Sequence, residues 1–277
     1  MSVCVGGASH DAGLLYFCTM PSLLITEQGP VLSLALNRPE KRNALNPDLT
    51  NMLREALEAG MNRSDIRVIV IKSSGDAFCA GADLAYLQEI RNNSYDENVQ
   101  DSMNLKALFE LILRGPKPVI AAVHSAALAG GCGLANACDI CFATPDAQFG
   151  YTESKIGFIP ALVSIFLQRK IQGSIARELL LSGRIFKAEE AKSIGLVHHI
   201  TAAESLESHV MDYAQNLAKT TSGQSIALTK ELLWNSSGLG LDEGMNLAAA
   251  MNARARAGED CIRGIDAFLN KEKISWS

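Results

Sequence analysis

The sequence predicts an α/β protein with an all-helical tail, and three observations support this. Short apolar, β-branched segments alternate with segments of helical periodicity through the first two thirds of the chain. A unit of strand, short strand and helix recurs there. From about Ala203 onward, only helical patterns occur. We therefore expect an α/β region over residues 20–202, a helical region over 203–277 and a loose N-terminal extension over 1–19.

Composition and charge exclude several classes of protein. The 277 residues are 48% hydrophobic and 20% charged, which is typical of a folded chain with a large core. The formal net charge of −5 argues against a general nucleic-acid binder. Pro118–Ala137 is almost uncharged, but its β-branched start and the following Asp139 indicate a buried strand that leads into a short helix. We therefore expect no contact with a membrane.

Cysteine usage and the N-terminal residues indicate the compartment. The seven cysteines are an odd number without paired metal spacing, so we expect a reducing compartment and no metal site. Cys138 and Cys141 form a lone CxxC, which favours buried thiols over zinc or redox use. No Lys or Arg precedes Arg38, so neither a secretory signal nor a transit peptide is indicated, and Met20 is a candidate alternative start. We expect a cytoplasmic protein.

The first elements are a hairpin, a helix and a buried strand. Leu23–Thr26 and Val31–Leu36 are predicted strands that flank a Gly-Pro turn. Asn46 is a candidate N-cap and Pro47 takes the first helical position, so a helix begins there, with its apolar residues on one face. Val68–Ile71 is the next predicted strand.

The middle of the chain continues the alternation. The Gly- and Ala-rich loop Ser74–Ala82 precedes a helix that begins at about Asp83. The polar run Asn92–Asp96 is predicted to break this helix, and another helix follows around Asn104–Leu113. Val119–Val123 is a buried strand.

The later elements follow the same rules. We expect a short helix after Gly130, strands at Ile140–Ala143, at Phe149 and at Val197–Ile200, and helices over Ala161–Ile171 and Ile175–Leu181.

Two glycine-containing loops, Phe78–Asp83 and Leu128–Gly133, each follow a buried strand and enter a helix. Such turns present free backbone N–H groups, and two of them placed together polarise a carbonyl oxygen. The alternative is that small residues only allow a strand and a helix to pack closely. Gly131–Asn136 also resembles a degraded GxGxxG dinucleotide motif, but Asn136 replaces the third glycine and the helix is too short for a dinucleotide crossover.

Several motifs in order resemble the enoyl-CoA hydratase/isomerase (crotonase) superfamily. They are Asn37–Asn46, Ala77–Leu84, Pro118–Val123 with Ala129–Gly131, Gln148–Gly150, Glu153, Gly157, Ile159–Pro160 and Gly195–Val197. The resemblance covers nearly the whole chain. It implies a crotonase-like spiral of ββα units with a C-terminal helical trimerisation region, assembled as a homotrimer or as a hexamer of two trimers.

The resemblance also implies the catalytic groups. The backbone N–H groups of Ala82 and Gly130 would form an oxyanion hole for an acyl-CoA thioester, and Glu153 would carry the proton. From the residues alone, Glu153 is equally well an ordinary first-turn acid after a Thr152 N-cap. This chemistry needs neither a metal nor a redox cofactor, because coenzyme A is part of the substrate.

The resemblance implies a coenzyme A site in two parts. Lys41, Arg42, Ala44, Ala80, Asp83 and Leu84 would line the groove for pantetheine and adenine, and Phe268 and Lys271 would reach the coenzyme A of a neighbouring subunit. Without the resemblance, Lys41 and Arg42 are an ordinary solvated turn, Phe268 is a core residue and Lys271 is a surface charge.

One position departs from the family pattern. Hydratases with two glutamates carry the second one where this chain has Gly133. Three functions follow, in order of preference: a one-glutamate enoyl-CoA hydratase, a Δ3,Δ2-enoyl-CoA isomerase that uses Glu153 alone, and a non-catalytic acyl-CoA-binding protein. Ala129–Gly133 and Glu153–Leu162 are similar to methylglutaconyl-CoA hydratase relatives, so a methylglutaconyl-CoA-like substrate is one expectation.

Two further polar residues lie near the predicted site. His124, at a strand end, is either a proton relay or, more commonly for such a residue, a structural histidine. Tyr86, one helical turn beyond Ala82, either lines the acyl pocket or packs. Neither is predicted to be catalytic.

Overall fold

The strands form two sheets in a computed structural model that describes residues 21–276. They are β1 (Leu23–Gln28), β2 (Val31–Leu36), β3 (Val68–Ser73), β4 (Ala77–Cys79), β5 (Val119–Val123), β6 (Ala126–Leu128), β7 (Ile140–Ala143), β8 (Gln148–Gly150), β9 (Ile185–Lys187) and β10 (His199–Ile200). The large sheet has the order β1-β2-β3-β5-β7-β10, and the small sheet has the order β4-β6-β8-β9. Only β1 and β9 are antiparallel to their neighbours.

Helices cover both sheets and form the C-terminal part of the chain. They are α1 (Pro47–Asn62), α2 (Leu84–Glu89), α3 (Tyr95–Arg114), α4 (Gly130–Ala137), α5 (Ala161–Lys170), α6 (Gly173–Ser182), α7 (Ala188–Ser193), α8 (Leu206–Thr220), α9 (Gly223–Ser236), α10 (Leu241–Arg256) and α11 (Glu259–Leu269). Within residues 21–276, no helix is both long enough and apolar enough to cross a bilayer.

The chain winds as a spiral whose turns repeat the unit strand, short strand and helix. Strands β3, β5 and β7 lie side by side in the large sheet, and the short strands β4, β6 and β8 that follow them lie side by side in the small sheet. Each short strand leads into a helix. This is the predicted α/β class with the predicted ββα repeat.

Alternate residues of the large sheet face two separate apolar clusters. Ile69 and Ile71 of β3 belong to the main core, which lies between the two sheets and helices α1, α3, α4 and α5. Val68 and Val70 face the opposite side, where Val210 and other apolar residues of α8 cover them. The first helix of the C-terminal region therefore packs directly on the spiral.

A buried ammonium group holds the next helix, α9, onto the same core. The Lys230 Nζ donates to Asp139 Oδ2 at 2.5 Å and to the carbonyl oxygens of Ile112 and Lys117 at 3.0 Å each. The Lys230 side chain is only 8% exposed. All three of its hydrogen bonds are used to join the helical region to α3, the loop after it, and the loop before β7.

Several element boundaries differ from the prediction. Helix α3 begins at Tyr95, although the polar run there was expected to separate helices and the next helix was expected around Asn104. The physical reason is a capping box, in which Ser94 accepts from the Glu97 N–H and the Glu97 carboxylate accepts from the Ser94 N–H. The last strand is also shorter, His199–Ile200. The predicted extension over residues 1–19 and Met20 lie outside the described residues.

We expect Lys230→Ala to lower the free energy of unfolding by about 3 kcal/mol, because it leaves a partly buried carboxylate and two carbonyl oxygens without their cation. Guanidinium unfolding measures this loss. Lys219→Ala is the control, since Lys219 is an exposed lysine on α8. Equal midpoints for the two variants would contradict the assigned role of Lys230.

Candidate functional site

The three predicted catalytic groups follow three neighbouring strands of the small sheet. Ala82 comes shortly after β4, Gly130 after β6 and Glu153 after β8. These strands are parallel, with Ala77 opposite Ala126 and Ala127 opposite Phe149. Because the carboxyl ends of parallel strands meet at one edge of the sheet, the fold places all three groups on the same side.

The first two loops touch each other through glycines. A Cβ atom on Gly81 would lie 2.9 Å from the Ala129 Cβ and 3.2 Å from the Leu128 oxygen. A Cβ atom on Gly131 would lie 2.2 Å from the Cys79 oxygen. Only glycine fits at either position, and the close approach brings the backbone of one loop against that of the other.

The N–H groups of Ala82 and Gly130 are free donors. The Leu45 N–H donates to Gly81 O at 2.7 Å and the Asp83 N–H donates to Leu45 O at 2.9 Å, so the peptide N–H between them points away from Leu45. Gly130 is the first residue of α4, so its N–H has no acceptor within the helix. Within residues 21–276, neither N–H donates a hydrogen bond.

Backbone conformation and helix α4 prepare the Gly130 donor. Ala129, the residue before it, has φ 47° and ψ −124°, a conformation that costs a residue with a side chain about 1–3 kcal/mol. The helix dipole places partial positive charge at Gly130. At the opposite end of α4, the partly buried Lys170 donates from Nζ to the carbonyl oxygens of Asn136 and Cys138, at 2.8 Å each. Burial lowers the pKa of Lys170.

A buried ion pair fixes the backbone around Ala82. Arg38 Nη2 donates to Asp83 Oδ2 at 2.7 Å, and Arg38 Nη1 donates to Ala44 O at 2.7 Å. Asp83 Oδ1 accepts from the Ala85 N–H and so caps α2. Burial alone would raise the pKa of Asp83, but the hydrogen bonds from Arg38 and Ala85 outweigh it and hold the pKa below its usual value.

One cavity of about 480 Å³ contains the site. Ala82, Gly130 and Glu153 all line it. Most of the remaining lining is apolar and comes from α2, α3, α5 and the segment before α5, with Leu105, Phe109 and Leu162 as examples. The predicted donors and the predicted proton carrier therefore face a single space of the size that takes a small molecule.

Glu153 has the environment that acid–base catalysis needs. It lies in a short 3₁₀ helix, Thr152–Ile156, and is half-buried. Its Oε2 atom is buried and makes no hydrogen bond within the described residues. Burial raises the pKa of Glu153 above its ordinary value of 4.5, against a smaller lowering by its own backbone N–H.

Val163 occupies the space beside Gly133. A Cβ atom on Gly133 would lie 2.3 Å from Val163 Cγ1 and 3.5 Å from Phe109 Cζ. Glycine at position 133 therefore does more than remove a carboxylate from the site. No side chain fits at this position while Val163 is present. The wall of the cavity next to the first turn of α4 is apolar, and Glu153 is the only carboxylate near it among the lining residues.

The predicted coenzyme A residues lie in several places. Ala80 and Leu84 line the cavity. Lys41 and Arg42 are exposed on the neighbouring loop, and the Arg42 carbonyl accepts from the Ala80 N–H at 3.0 Å. Ala44 and Asp83 are buried and engaged with Arg38, so their side chains are outside the lining. Phe268, which is 81% exposed, and Lys271 lie at the end of α11, also outside the lining.

Two other residues considered from the sequence have defined partners. His124 Nε2 is 2.8 Å from the Gly75 oxygen, and His124 is not part of the cavity lining. Tyr86 does line the cavity, and its hydroxyl donates to Asp101. Sequence reasoning missed Val163 and Asp101, since a contact between separate helices leaves no local pattern. The spacing of Asp101, Leu105 and Phe109 on one helix face was the available signal.

The CxxC cysteines are buried thiols without disulfide partners. Burial raises the pKa of Cys141 to about 12 and that of Cys138 further, so both are protonated and unreactive at neutral pH. In the part of the chain that the structure describes, no three His, Cys, Asp or Glu side chains cluster as metal ligands would.

The chain is similar to known proteins over nearly its whole length. The family model for enoyl-CoA hydratase/isomerase matches residues 26–277. A protein of Thermus thermophilus that carries the provisional name enoyl-CoA hydratase is 42% identical over 245 residues, which are 88% of this chain and 96% of the relative. The 2,3-dehydroadipyl-CoA hydratase of Escherichia coli is 33% identical, over 91% of this chain and 97% of its own. A crystal structure of an enoyl-CoA hydratase from Mycobacterium smegmatis superposes with a TM-score of 0.85 at 29% identity, covering 93% of this chain and 99% of that chain.

We expect Gly133→Ala to lower the free energy of unfolding by about 1–3 kcal/mol, because the new methyl group overlaps Val163. Adding Val163→Ala should recover part of this loss, so the double variant is more stable than the sum of the single losses predicts. Chemical unfolding of all three variants measures the coupling.

Gly244→Ala is the control for that series. Gly244 also lies inside a helix, α10, but nothing lies within 4 Å of its Cβ position. This substitution should be neutral or stabilising, by up to about 1 kcal/mol. Additive losses for Gly133→Ala and Val163→Ala would show that the two residues do not compete for one space.

Proposed function

The chain belongs to the enoyl-CoA hydratase/isomerase family, and we propose that it is an enoyl-CoA hydratase that works with Glu153 as its single acid–base group. The observation that carries this proposal is the convergence on one cavity of two free N–H donors and one buried carboxylate oxygen without a partner. A hydratase adds water across the double bond of an α,β-unsaturated acyl-CoA thioester.

The two N–H groups stabilise the charge that develops in the reaction. When water attacks the β-carbon, electrons move to the thioester oxygen and form an enolate. The N–H groups of Ala82 and Gly130 donate to this oxygen, with the positive end of the α4 dipole behind Gly130. One such donor contributes about 3 kcal/mol in comparable sites.

Glu153 transfers the proton in both directions. Its carboxylate accepts a proton from the attacking water as the bond between oxygen and the β-carbon forms. The same carboxyl group then donates a proton to the α-carbon as the enolate returns to a thioester. Oε2 is free for this exchange because no protein group in the described residues holds it. Burial raises the pKa of Glu153 above 4.5, which favours the protonated carboxyl that the second step needs.

A Δ3,Δ2-enoyl-CoA isomerase is the second candidate, and the wall formed by Val163 and Phe109 favours it. In that reaction Glu153 removes a proton from the α-carbon and returns it to the γ-carbon, so no water has to be held at the β-carbon. Product analysis with a 2-enoyl-CoA and a 3-enoyl-CoA separates the two functions. A 3-hydroxyacyl-CoA product supports the hydratase, and double-bond migration without it supports the isomerase. Tight binding of both esters without turnover would support a non-catalytic protein.

Two finer expectations also belong to this proposal. Crotonyl-CoA and 3-methylglutaconyl-CoA are the first substrates to compare, because the segments around Gly133 and Glu153 are similar to methylglutaconyl-CoA hydratase relatives. We further propose assembly as a trimer or hexamer. The support is the apolar face of α11, where Ile262, Ile265 and Leu269 are each more than half exposed.

Glu153→Gln should reduce kcat by 10²–10⁴-fold, because glutamine cannot accept or donate the proton. Binding of a saturated acyl-CoA should persist, since the thioester oxygen is held by backbone groups. The control is Glu189→Gln, which changes an exposed acid on α7. Near-normal turnover by Glu153→Gln would disprove the assignment.

The raised pKa of Glu153 predicts opposite effects of pH on activity and on stability. The value of kcat/KM should fall as pH drops through the Glu153 pKa, which lies above 4.5. Because the folded state binds this proton more tightly, the carboxyl contributes full stability below pH 4.5 and loses it as pH rises through its folded pKa. Glu153→Gln should therefore be more stable than wild type at neutral pH and equally stable at low pH. Thermal unfolding across this range measures the difference.

A further inference from the structure

The far end of the cavity carries a negative charge. Phe109, Leu105 and Asp101 are spaced four residues apart on one face of α3, and all three line the cavity. Phe109 lies beside the first turn of α4, since its Cζ is 3.5 Å from the Cβ position of Gly133. Asp101 is two helical turns away, about 12 Å at 1.5 Å per residue. A chain held at the Gly130 N–H and extending along α3 passes an apolar stretch and then meets a carboxylate.

The Asp101 carboxylate is held in place but is not neutralised. The Tyr86 hydroxyl on α2 donates to Asp101 Oδ1. Within the described residues, no Lys, Arg or His side chain forms an ion pair with it. A hydrogen bond from a neutral hydroxyl orients the carboxylate and leaves its full charge facing the cavity.

The charged residues that line the cavity determine which acyl-chain ends it can bind. Among the lining residues the charged ones are Asp101, Glu153 and Lys155. Lys155 lies in the segment after β8, where its Cγ is 3.5 Å from the Cβ position of Gly183 on the α6–β9 turn. Asp101 is the only charged residue among the lining residues that α2 and α3 supply, so these walls of the cavity offer no cation to a second carboxylate.

We propose that Asp101, oriented by Tyr86, excludes acyl chains that end in a carboxylate, so that the substrates are enoyl-CoA thioesters with neutral, apolar tails. This inference rests on the proposed acyl-CoA function. A terminal carboxylate brought to this end of the cavity would lose its hydration beside a like charge, whereas a methyl group would contact Leu105, Leu87 and Ile90.

A matched pair of substrates tests the proposal. trans-2-Decenoyl-CoA and trans-2-decenedioyl-CoA share a chain long enough to reach Asp101 and differ only in the last carbon, a methyl group in one and a carboxylate in the other. We expect wild type to prefer the decenoyl ester by at least about tenfold in kcat/KM. Asp101→Asn should lower this preference, the ratio of the two kcat/KM values, by about tenfold.

Three further variants make the result specific. Asp96→Asn removes an exposed acid from the first turn of the same helix, outside the cavity lining, and should leave the substrate ratio unchanged. Tyr86→Phe should keep the preference for a neutral tail, since Asp101 remains charged. Lys155→Gln should also keep it. A wild type that prefers the decenedioyl ester and loses this preference in Lys155→Gln would overturn the proposal and identify Lys155 as the anchor of a carboxylate tail.

Binding measurements separate failure of this proposal from failure of the hydratase function. Calorimetry with decanoyl-CoA and sebacoyl-CoA, its counterpart with a terminal carboxylate, reports tail selection without any turnover. Weaker binding of sebacoyl-CoA that is relieved by Asp101→Asn supports the proposal even if no enoyl-CoA is hydrated. Equal affinities for the two saturated esters, or a ratio that Asp101→Asn does not change, would refute it even in an active hydratase.

Discussion

The parallel pairing of the three short strands is the constraint on which the site depends. Strand β6 lies between β4 and β8, so the loop after it is held between the other two. Gly81 and Gly131 allow the first two loops to touch at backbone distance. A side chain at either position would force the loops apart and move one N–H donor away from the other. The proposed polarising groups are thus main-chain atoms, and the fold itself sets their spacing.

The candidate site contains energetically unfavourable features, and hydrogen bonds of nearby residues stabilise the structure around it. Ala129 adopts a left-handed φ, and Glu153 keeps a buried oxygen without a partner. Asn136 and Tyr151 also hold buried polar atoms without a partner in the described residues, whereas Asn43, Arg38 and Lys170 are hydrogen-bonded to the backbone nearby. Asn43 is completely buried, and its side-chain amide donates to the carbonyl oxygens of Ser74 and Ala77. Arg38 and Lys170 bond the neighbouring backbone in the same way. A strained conformation persists where the surrounding residues are rigid and hydrogen-bonded.

The sequence was most informative where function depends on local patterns. Hydrophobic periodicity located β2, β3, β5 and β7, and Asn46 marked the start of α1 correctly. The start of α3 was missed, although the Ser94 and Glu97 pair is a recognisable capping signal. The resemblance supplied Ala82 and Gly130, because a free N–H on a turn has no side-chain signature. Glu153 was ambiguous from pattern alone, since a first-turn acid and a catalytic acid occupy the same position in sequence.

Long-range contacts set the limit of what the sequence predicts. The pairing of Arg38 with Asp83 joins residues far apart in the chain, and no local pattern predicts it. Gly133 was understood from the sequence as the loss of a carboxylate, whereas the structure shows a gain of apolar volume through Val163. Whether side chains on two helices fit against each other is known only when the packing of the two helices is known.

The apolar wall and the single carboxylate are both tied to the glycine at position 133, against which Val163 packs. In the proposed hydratase, the side of the β-carbon next to α4 would offer no hydrogen-bond partner, so a water molecule there would be held only by Glu153. The unpaired Oε2 of Glu153 fits this requirement, because a carboxylate already bonded to the protein could not both orient water and exchange its proton. Burial raises the pKa of Glu153, which would favour its action as an acid in the next step of the proposed reaction. Under this proposal, packing at Gly133 and proton transfer at Glu153 depend on each other, and a change in one changes what is required of the other.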